Sequence, residues 1–333
     1  MFFGQSDTEM KSTQNRLIAQ VQRVRMLSPN VNEYELALSD GGLPEPYAAG
    51  AHIDVFLPQH GARQYSLIRP WRQGAPLVIA VQRERNGRGG SGWIHEHLRT
   101  GAVVEIGQPR NLFALTPGSA RRILIAGGIG LTPLLCMAQE LLDRGDPFEL
   151  VVCARDESRL IYAGELLNAP LANHVRFVLD NGKPEHGLDA RALLAAAAPG
   201  TQVYCCGPNS LMDAVRAAGS HGANLDLHFE AFGAMSNAPV KADVNQAPFE
   251  VACRLSDITV QVQPDKSILD ALVDAGVEVD HSCKEGWCGT CLTRWSEGTP
   301  IHRDTCLSEE DRGRYVAVCT ARCGDGGRLV LDI

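Results

Sequence analysis

A concentrated basic face is missing from this 333-residue sequence: 31 lysines and arginines stand against 39 acidic residues, for a formal charge of −8. Phosphate-driven nucleic-acid binding depends on such a face and fits poorly. The opening run Met1-Phe2-Phe3-Gly4-Gln5-Ser6-Asp7 lacks the basic and apolar segments of a secretory signal. The longest apolar stretch, Ile123 to Ala138, is broken by Gly127, Gly128, Gly130 and Pro133, short of the roughly 20 residues that span a bilayer. A cytoplasmic protein, not membrane-bound, is the expectation. No internal repeat is present. What remains is 44% apolar and 21% charged, over a length that calls for two or three domains.

Nor do the eleven cysteines form the even pattern of a disulfide framework. Residues 1–248 hold Cys136, Cys153, Cys205 and Cys206, while residues 249–333 hold Cys253, Cys283, Cys288, Cys291, Cys306, Cys319 and Cys323. Cytosolic thiols stay reduced, so the dense C-terminal cluster points to metal or redox chemistry. Its centre, Cys283-Lys284-Glu285-Gly286-Trp287-Cys288-Gly289-Thr290-Cys291, spaces three thiolates C-x4-C-x2-C, with Cys319 as a distant fourth. That is the plant-type arrangement for a [2Fe–2S] cluster. Gly286, Gly289 and Thr290 are small enough for backbone amides to approach the sulfides. A structural zinc site on Cys288, Cys291, Cys319 and Cys323 is the competing reading, and it leaves Cys283 idle.

The chain changes texture twice. Short alternating runs over Leu17–Val24, Val31–Leu38, His52–Leu57, Gln64–Ile68, Leu77–Arg83 and Val103–Ile106 predict an antiparallel barrel. From Arg122, strands at Ile123–Ala126, Phe148–Cys153, His174–Leu179 and Thr201–Cys205 alternate with helices at Leu131–Leu142, Asp189–Ala197 and Asn209–Ala218, which predicts a parallel α/β sheet. The expected organisation is a barrel over 14–118, a nucleotide domain over 119–234, a linker over 235–248 and a cysteine-bearing domain over 249–333.

Gly127-Gly128-Ile129-Gly130-Leu131-Thr132-Pro133 joins a strand to a helix, where glycines let a pyrophosphate reach free amides at the helix start. It is not G-x-G-x-x-G, and a plain turn would look similar. Cys205-Cys206-Gly207-Pro208 forms a second such turn, and two together mark the ligand-binding edge of one sheet. In Arg63-Gln64-Tyr65-Ser66, alternation puts a guanidinium and an aromatic ring about 7 Å apart on one face, a phosphate clamp beside a ring platform. Gly89-Gly90-Ser91 adds another glycine-rich helix start. His95 and His97 face differently on that helix and read as surface residues.

These motifs, with His228-Phe229-Glu230-Ala231-Phe232-Gly233, occur in an order that resembles the phthalate dioxygenase reductase family, from about Arg16 to Ile333. The resemblance implies a ferredoxin-reductase-like barrel binding FMN, an NADH-binding α/β domain, and a C-terminal β-grasp ferredoxin whose cluster is held by Cys283, Cys288, Cys291 and Cys319. Arg63 would hold the FMN phosphate with Gly89, Gly90 and Ser91. Gln64, Tyr65 and Ser66 would border the flavin, and Ala80 and Val81 would lie along it. Gly127, Gly128, Gly130, Thr132, Pro133, Cys206, Gly207 and Pro208 would take the nucleotide, and Asp156 its ribose hydroxyls. Thr132, Cys206 and Phe232 fall at the reacting centre, with Phe232 covering the flavin until nicotinamide displaces it.

The sequence departs from that pattern at Trp287, at Cys323 and at Gln82. Arg155 beside Asp156 keeps NADPH in play, and the resemblance tips the choice to NADH. Domain order likewise favours FMN over FAD. Nicotinamide gives two electrons as a hydride and a [2Fe–2S] cluster takes one, so a flavin is needed between them. The implied acceptor is a Rieske-type non-haem iron oxygenase, with a cytochrome or a separate ferredoxin as alternative acceptors; a non-catalytic zinc or redox-sensing module is the alternative reading of the chain itself. Residues 249–333 hold 15 acidic and 9 basic side chains, a net of −6, which steers the module toward a basic partner.

Overall fold

The computed structural model describes residues 16–39, 46–84, 87, 89–118, 120–220, 224–232, 247–281, 284, 286, 289–304, 306–307, 309–324 and 327–333. Leu17–His60 with Gln64–Met235 form one compact unit; Ser236–Ile333 belong to a second, with which Met1–Arg16 and Gly61–Arg63 are grouped.

Strands β1 (Arg16–Ser28), β2 (Val31–Leu38), β3 (His52–Leu57), β4 (Gly61–Ser66), β5 (Leu77–Gln82) and β6 (Val103–Gly107), which apart from Arg16 and Gly61–Arg63 belong to the larger unit, line up in the order β4-β3-β6-β1-β2-β5. Just past β4, the Leu67 amide donates to Ala51 O at 2.8 Å and the Ile68 amide to Val78 O at 3.0 Å. The two ends of the row therefore meet, and the sheet closes into a barrel. Period-2 alternation sends Val21, Tyr34, Leu36, Ile53, Val55, Leu67, Ile79 and Val81 into its interior. Helix α1 (Gly90–His97) plugs one end through Ile94. Removing an aliphatic side chain of this size from water contributes about 1.5–3 kcal/mol.

The nucleotide sheet contains β7 (Arg122–Gly127), β8 (Phe148–Ala154), β9 (Val175–Leu179), β10 (Gln202–Cys206) and β11 (Asp226–Glu230), all parallel, in the order β11-β10-β7-β8-β9. Helices α2 (Leu131–Arg144), α3 (Ala163–Leu166), α4 (Ala190–Ala195) and α5 (Asn209–Gly219) connect the strands. Along β7, Leu124 and Ala126 enter one core while Ile123 and Ile125 enter another, so the strand is covered on both faces and reads as a continuous apolar run. Strand β11 is absent from the sequence expectation, because Asp226, His228 and Glu230 interrupt its apolar signal.

One apolar core serves both halves of this unit: Val31, Ile68, Val78 and Ala80 of the barrel side join Leu124, Leu131, Leu134 and Tyr204. Arg122, with no exposed surface, ties the connection down. Its guanidinium donates to the carbonyls of Thr116, Gly118 and Ala120 and lies 3.3 Å from Asp146 Oδ2.

The smaller unit has β12 (Phe249–Cys253), β13 (Ile258–Val262), β14 (Leu292–Glu297), β15 (Pro300–Ile301), β16 (Tyr315–Ala317), β17 (Arg322–Cys323) and β18 (Arg328–Leu331). Five of these form the row β13-β12-β18-β14-β16, and β15 pairs with β17. Helix α6 (Ile268–Asp274), capped by the Ser267 side chain on the Asp270 amide, lays Ile268, Leu269 and Leu272 against the sheet as in a β-grasp. The linker expected over 235–248 falls, apart from its last two residues, outside the described residues.

Candidate functional site

The strand order of the parallel sheet reverses between β7 and β10, and ligands bind beyond the carboxyl ends at such a switch point. The turns that follow these two strands are Gly127–Gly130 and Gly207–Pro208, and they press together. A Cβ on Gly130 would stand 2.3 Å from Cys206 O, and one on Gly127 would stand 2.7 Å from Pro208 Cδ. Gly128, at φ +57°, faces open space with nothing within 4 Å. Thr132 is 2% exposed in the first turn of α2 and donates to Ile129 O at 2.9 Å, with Pro133 buried beside it. Crowded glycines beneath, an open glycine above and a helix start alongside fit a dinucleotide.

Asp156 follows β8 and is partly exposed. Ser158 Oγ, 2.5 Å from Oδ1, holds its carboxyl below the usual range, and Arg159 Nε lies 3.5 Å from Oδ2. Phe232, 43% exposed, follows β11.

Glu230, at the end of β11, is the residue the sequence reasoning passed over. Ser66 Oγ donates to its Oε2 at 3.3 Å, joining the barrel to the sheet. Part of the residue meets solvent, yet protein encloses the carboxyl enough that burial pushes its pKa up to about 8. In the β10–β11 ladder Glu230 pairs with Cys206, a fully buried thiol pushed well up by burial and then by the nearby carboxylate. Cys206 is therefore a neutral thiol and not a thiolate nucleophile. The signal available in the sequence was a lone carboxylate inside His228-Phe229-Glu230-Ala231-Phe232.

On the barrel, Arg63 donates to Ala62 O at 2.8 Å within β4, and Tyr65 packs partly buried on the barrel core. Gln64 Nε2 lies 3.3 Å from Nε2 of His52, which burial keeps neutral, its pKa lowered to about 3. Ala80 and Val81 leave opposite faces of β5, one into the shared core and one into the barrel, so only their backbone can line one ligand. Gly89, at φ +83°, caps α1 with no side-chain hydrogen bond, followed by Gly90 and Ser91, whose Oγ accepts from the Glu84 amide. A cleft of about 450 Å³ opens there between His60, Arg83, Gly89 and Trp93. Glu84 and Glu96 also line this cleft, Glu96 paired with Arg83, so the part that fits a phosphate-bearing group is the glycine-rich start of α1 at Gly89–Ser91.

His95 departs from the surface role expected of it. Its Nε2 lies 2.8 Å from Val81 O and its Nδ1 3.4 Å from Asn32 Nδ2, which pins α1 to β5 as a neutral ring whose pKa burial lowers. His97 stacks on Trp93 at 4.6 Å.

In the smaller unit, Cys291 and Cys319 are buried in one apolar core; Cys283, Cys288 and Trp287 lie outside the described residues. Lys284, Gly286 and Gly289 all take positive φ, turning the loop tightly. A Cβ on Gly286 would meet Thr320 Oγ1 at 2.7 Å, and that hydroxyl is buried with no partner among the described residues. A tight loop backed by an unsatisfied donor and two buried thiols fits an iron–sulfur cluster. Among the described residues no cysteine forms a disulfide, and Cys253 and Cys323 are buried.

An electron-transferring oxidoreductase, with a nucleotide edge, a flavin-type barrel and a ferredoxin module, is the class these features define. Residues 124–217 match the oxidoreductase NAD-binding domain, and residues 251–324 the 2Fe-2S iron-sulfur cluster binding domain. Over 320 residues the chain is 42% identical to the vanillate O-demethylase oxidoreductase of a Pseudomonas species, covering 94% of this chain and 98% of that protein. The solved phthalate dioxygenase reductase, described as a modular structure for electron transfer from pyridine nucleotides to [2Fe-2S], shares 34% identity at a TM-score of 0.70, covering 96% of this chain and 98% of that one. An intact type IV self-sufficient cytochrome P450 monooxygenase matches at a TM-score of 0.82 and 31% identity, covering 96% of this chain but 41% of the larger protein. The chain belongs to the phthalate dioxygenase reductase family, the reductase components of oxygenase systems.

Proposed function

We propose that the chain is the cytoplasmic, NADH-dependent reductase of a Rieske-type non-haem iron oxygenase, moving electrons from NADH through FMN and a [2Fe–2S] cluster. The observation that carries this reading is the joining of a switch-point nucleotide edge to a flavin-type barrel in one compact unit, with a ferredoxin module in the same chain. Bound flavin supplies exchange between a two-electron hydride and a one-electron acceptor.

The chain's own residues supply place and charge. Arg63 and the amides of Gly89, Gly90 and Ser91 neutralise the FMN phosphate. Gln64, Tyr65 and the β5 backbone border the ring. Gly127 to Pro133 and Cys206 to Pro208 seat the pyrophosphate and nicotinamide, Asp156 accepts from the ribose hydroxyls, and Phe232 covers the flavin face. Glu230, whose pKa burial raises to about 8, accepts from Ser66 Oγ at Oε2, which leaves Oε1 to carry the carboxyl's proton. Cys283, Cys288, Cys291 and Cys319 hold the cluster. None of the nine described cysteines forms a disulfide, which suits a reducing compartment.

The test is anaerobic addition of NADH to the purified protein, followed by an oxygenase partner. Bleaching of flavin and cluster absorption, chromatographic identification of FMN, and electron delivery that slows at high salt are the expected results; a colourless zinc protein contradicts the reading. The match to a cytochrome P450 monooxygenase supports a second reading, the same reductase serving a P450 acceptor, and reconstitution with each partner separates the two.

A further inference from the structure

Tyr162 caps the start of α3 with φ +59°, a left-handed conformation that bulky L residues seldom adopt. It is 5% exposed, and its hydroxyl donates to Glu33 Oε2 at 2.7 Å. Glu33 belongs to the barrel strand β2, is 2% exposed, and stands opposite Ala80 in the β2–β5 ladder. Arg25 of β1 grips both Glu33 oxygens at 2.9 Å, and Arg69 grips both oxygens of Glu165 of α3 at 2.6 and 2.7 Å. Both guanidinium carbons lie over the Tyr162 ring, 5.6 and 5.4 Å from its centre. Two arginines and two glutamates cancel in charge. Every member therefore has a counterpart, and the phenol, its pKa pushed far up by burial, stays a donor.

This cluster crosses from the barrel to the nucleotide sheet beside the strand assigned to the flavin. Backbone strain held in place by so many contacts is a mark of a functional constraint. Hydride transfer needs its reacting atoms about 3–3.5 Å apart, and a misplacement of about 1 Å costs roughly a hundredfold in rate.

We infer that Tyr162, through its bond to Glu33, is a positioning residue that sets the nucleotide domain against the flavin strand for hydride transfer. The assignment rests on the function proposed above. Its test is Tyr162→Phe in the full-length holoprotein, which keeps the ring and its arginines and removes one hydroxyl. In anaerobic stopped flow, the limiting rate of flavin reduction by NADH should fall about tenfold while the half-saturating NADH concentration stays within twofold. The long-wavelength charge-transfer absorption of the nicotinamide–flavin complex should weaken, and amides over 160–167 should exchange hydrogen faster with or without nucleotide. Val215→Ala in the core under α5 serves as a merely destabilised control.

A Tyr162→Phe rate within twofold of the parent overturns the assignment, as does an equal loss in Val215→Ala. A parent protein that NADH does not reduce overturns the proposed function and the assignment together.

Discussion

Ser66 Oγ and Glu230 Oε2 meet at 3.3 Å where the barrel joins the edge of the parallel sheet, and among the described residues this contact is the hydrogen bond made to a carboxyl whose pKa burial raises to about 8. An unfolded glutamate titrates near ~4.3. Between those values the folded chain keeps a proton that the unfolded chain has released, so the Glu230 contribution to stability falls as pH rises through about 4.5 to 8, then levels off. Glu230→Gln is neutral throughout and removes that slope. Thermal unfolding from pH 5 to 8.5 should decline less steeply in the variant, and an unchanged slope would contradict the assignment.

Gly130→Ala puts a methyl 2.3 Å from Cys206 O, against backbone that cannot swing aside. Overpacking of this kind costs about 1–3 kcal/mol or more. A lowered midpoint of chemical denaturation is expected, with NADH affinity weakened beyond it because both turns of the nucleotide edge must separate. Calorimetric titration with NAD+ reads the second effect.

Arg122→Leu leaves three carbonyls and a carboxylate without their buried donor. Breaking a buried charged network by removing one partner costs about 3–5 kcal/mol. Urea unfolding of the variant should show a correspondingly earlier transition. Arg121→Ala next door, on an exposed side chain, should shift it by well under 1 kcal/mol.

Cys291→Ser and Cys319→Ser should each abolish the cluster's visible absorption and its reduced-state paramagnetic signal while leaving the flavin bound. Cys253→Ala and Cys323→Ala should retain both. Loss of the cluster in Cys323→Ala with retention in Cys319→Ser would reassign the fourth ligand.

Legibility in the sequence followed the strength of each local signal. Val31–Leu38 and His52–Leu57 alternate cleanly, and β2 and β3 take those bounds. Ile123–Ala126 reads as a strand buried on both faces because helices cover it on both. Strand β11 was hidden, since a sheet-edge strand can carry Asp226, His228 and Glu230 while the backbone ladder to β10 supplies its order. Glu230 was lost with it: its partner Ser66 lies 164 residues away, a separation no local pattern reports. His95 was misread for a related reason, as its anchors Val81 and Asn32 come from other strands.

The core shared by the barrel and the parallel sheet bears on how such chains are inherited and engineered. A crossover placed between Phe113 and Leu124 would hand Ile68, Val78 and Ala80 a foreign counterpart for Leu131 and Leu134, and the recombinant would begin life with a mismatched seam. Flavin barrel and nucleotide sheet are thus a single heritable part, to be transplanted whole.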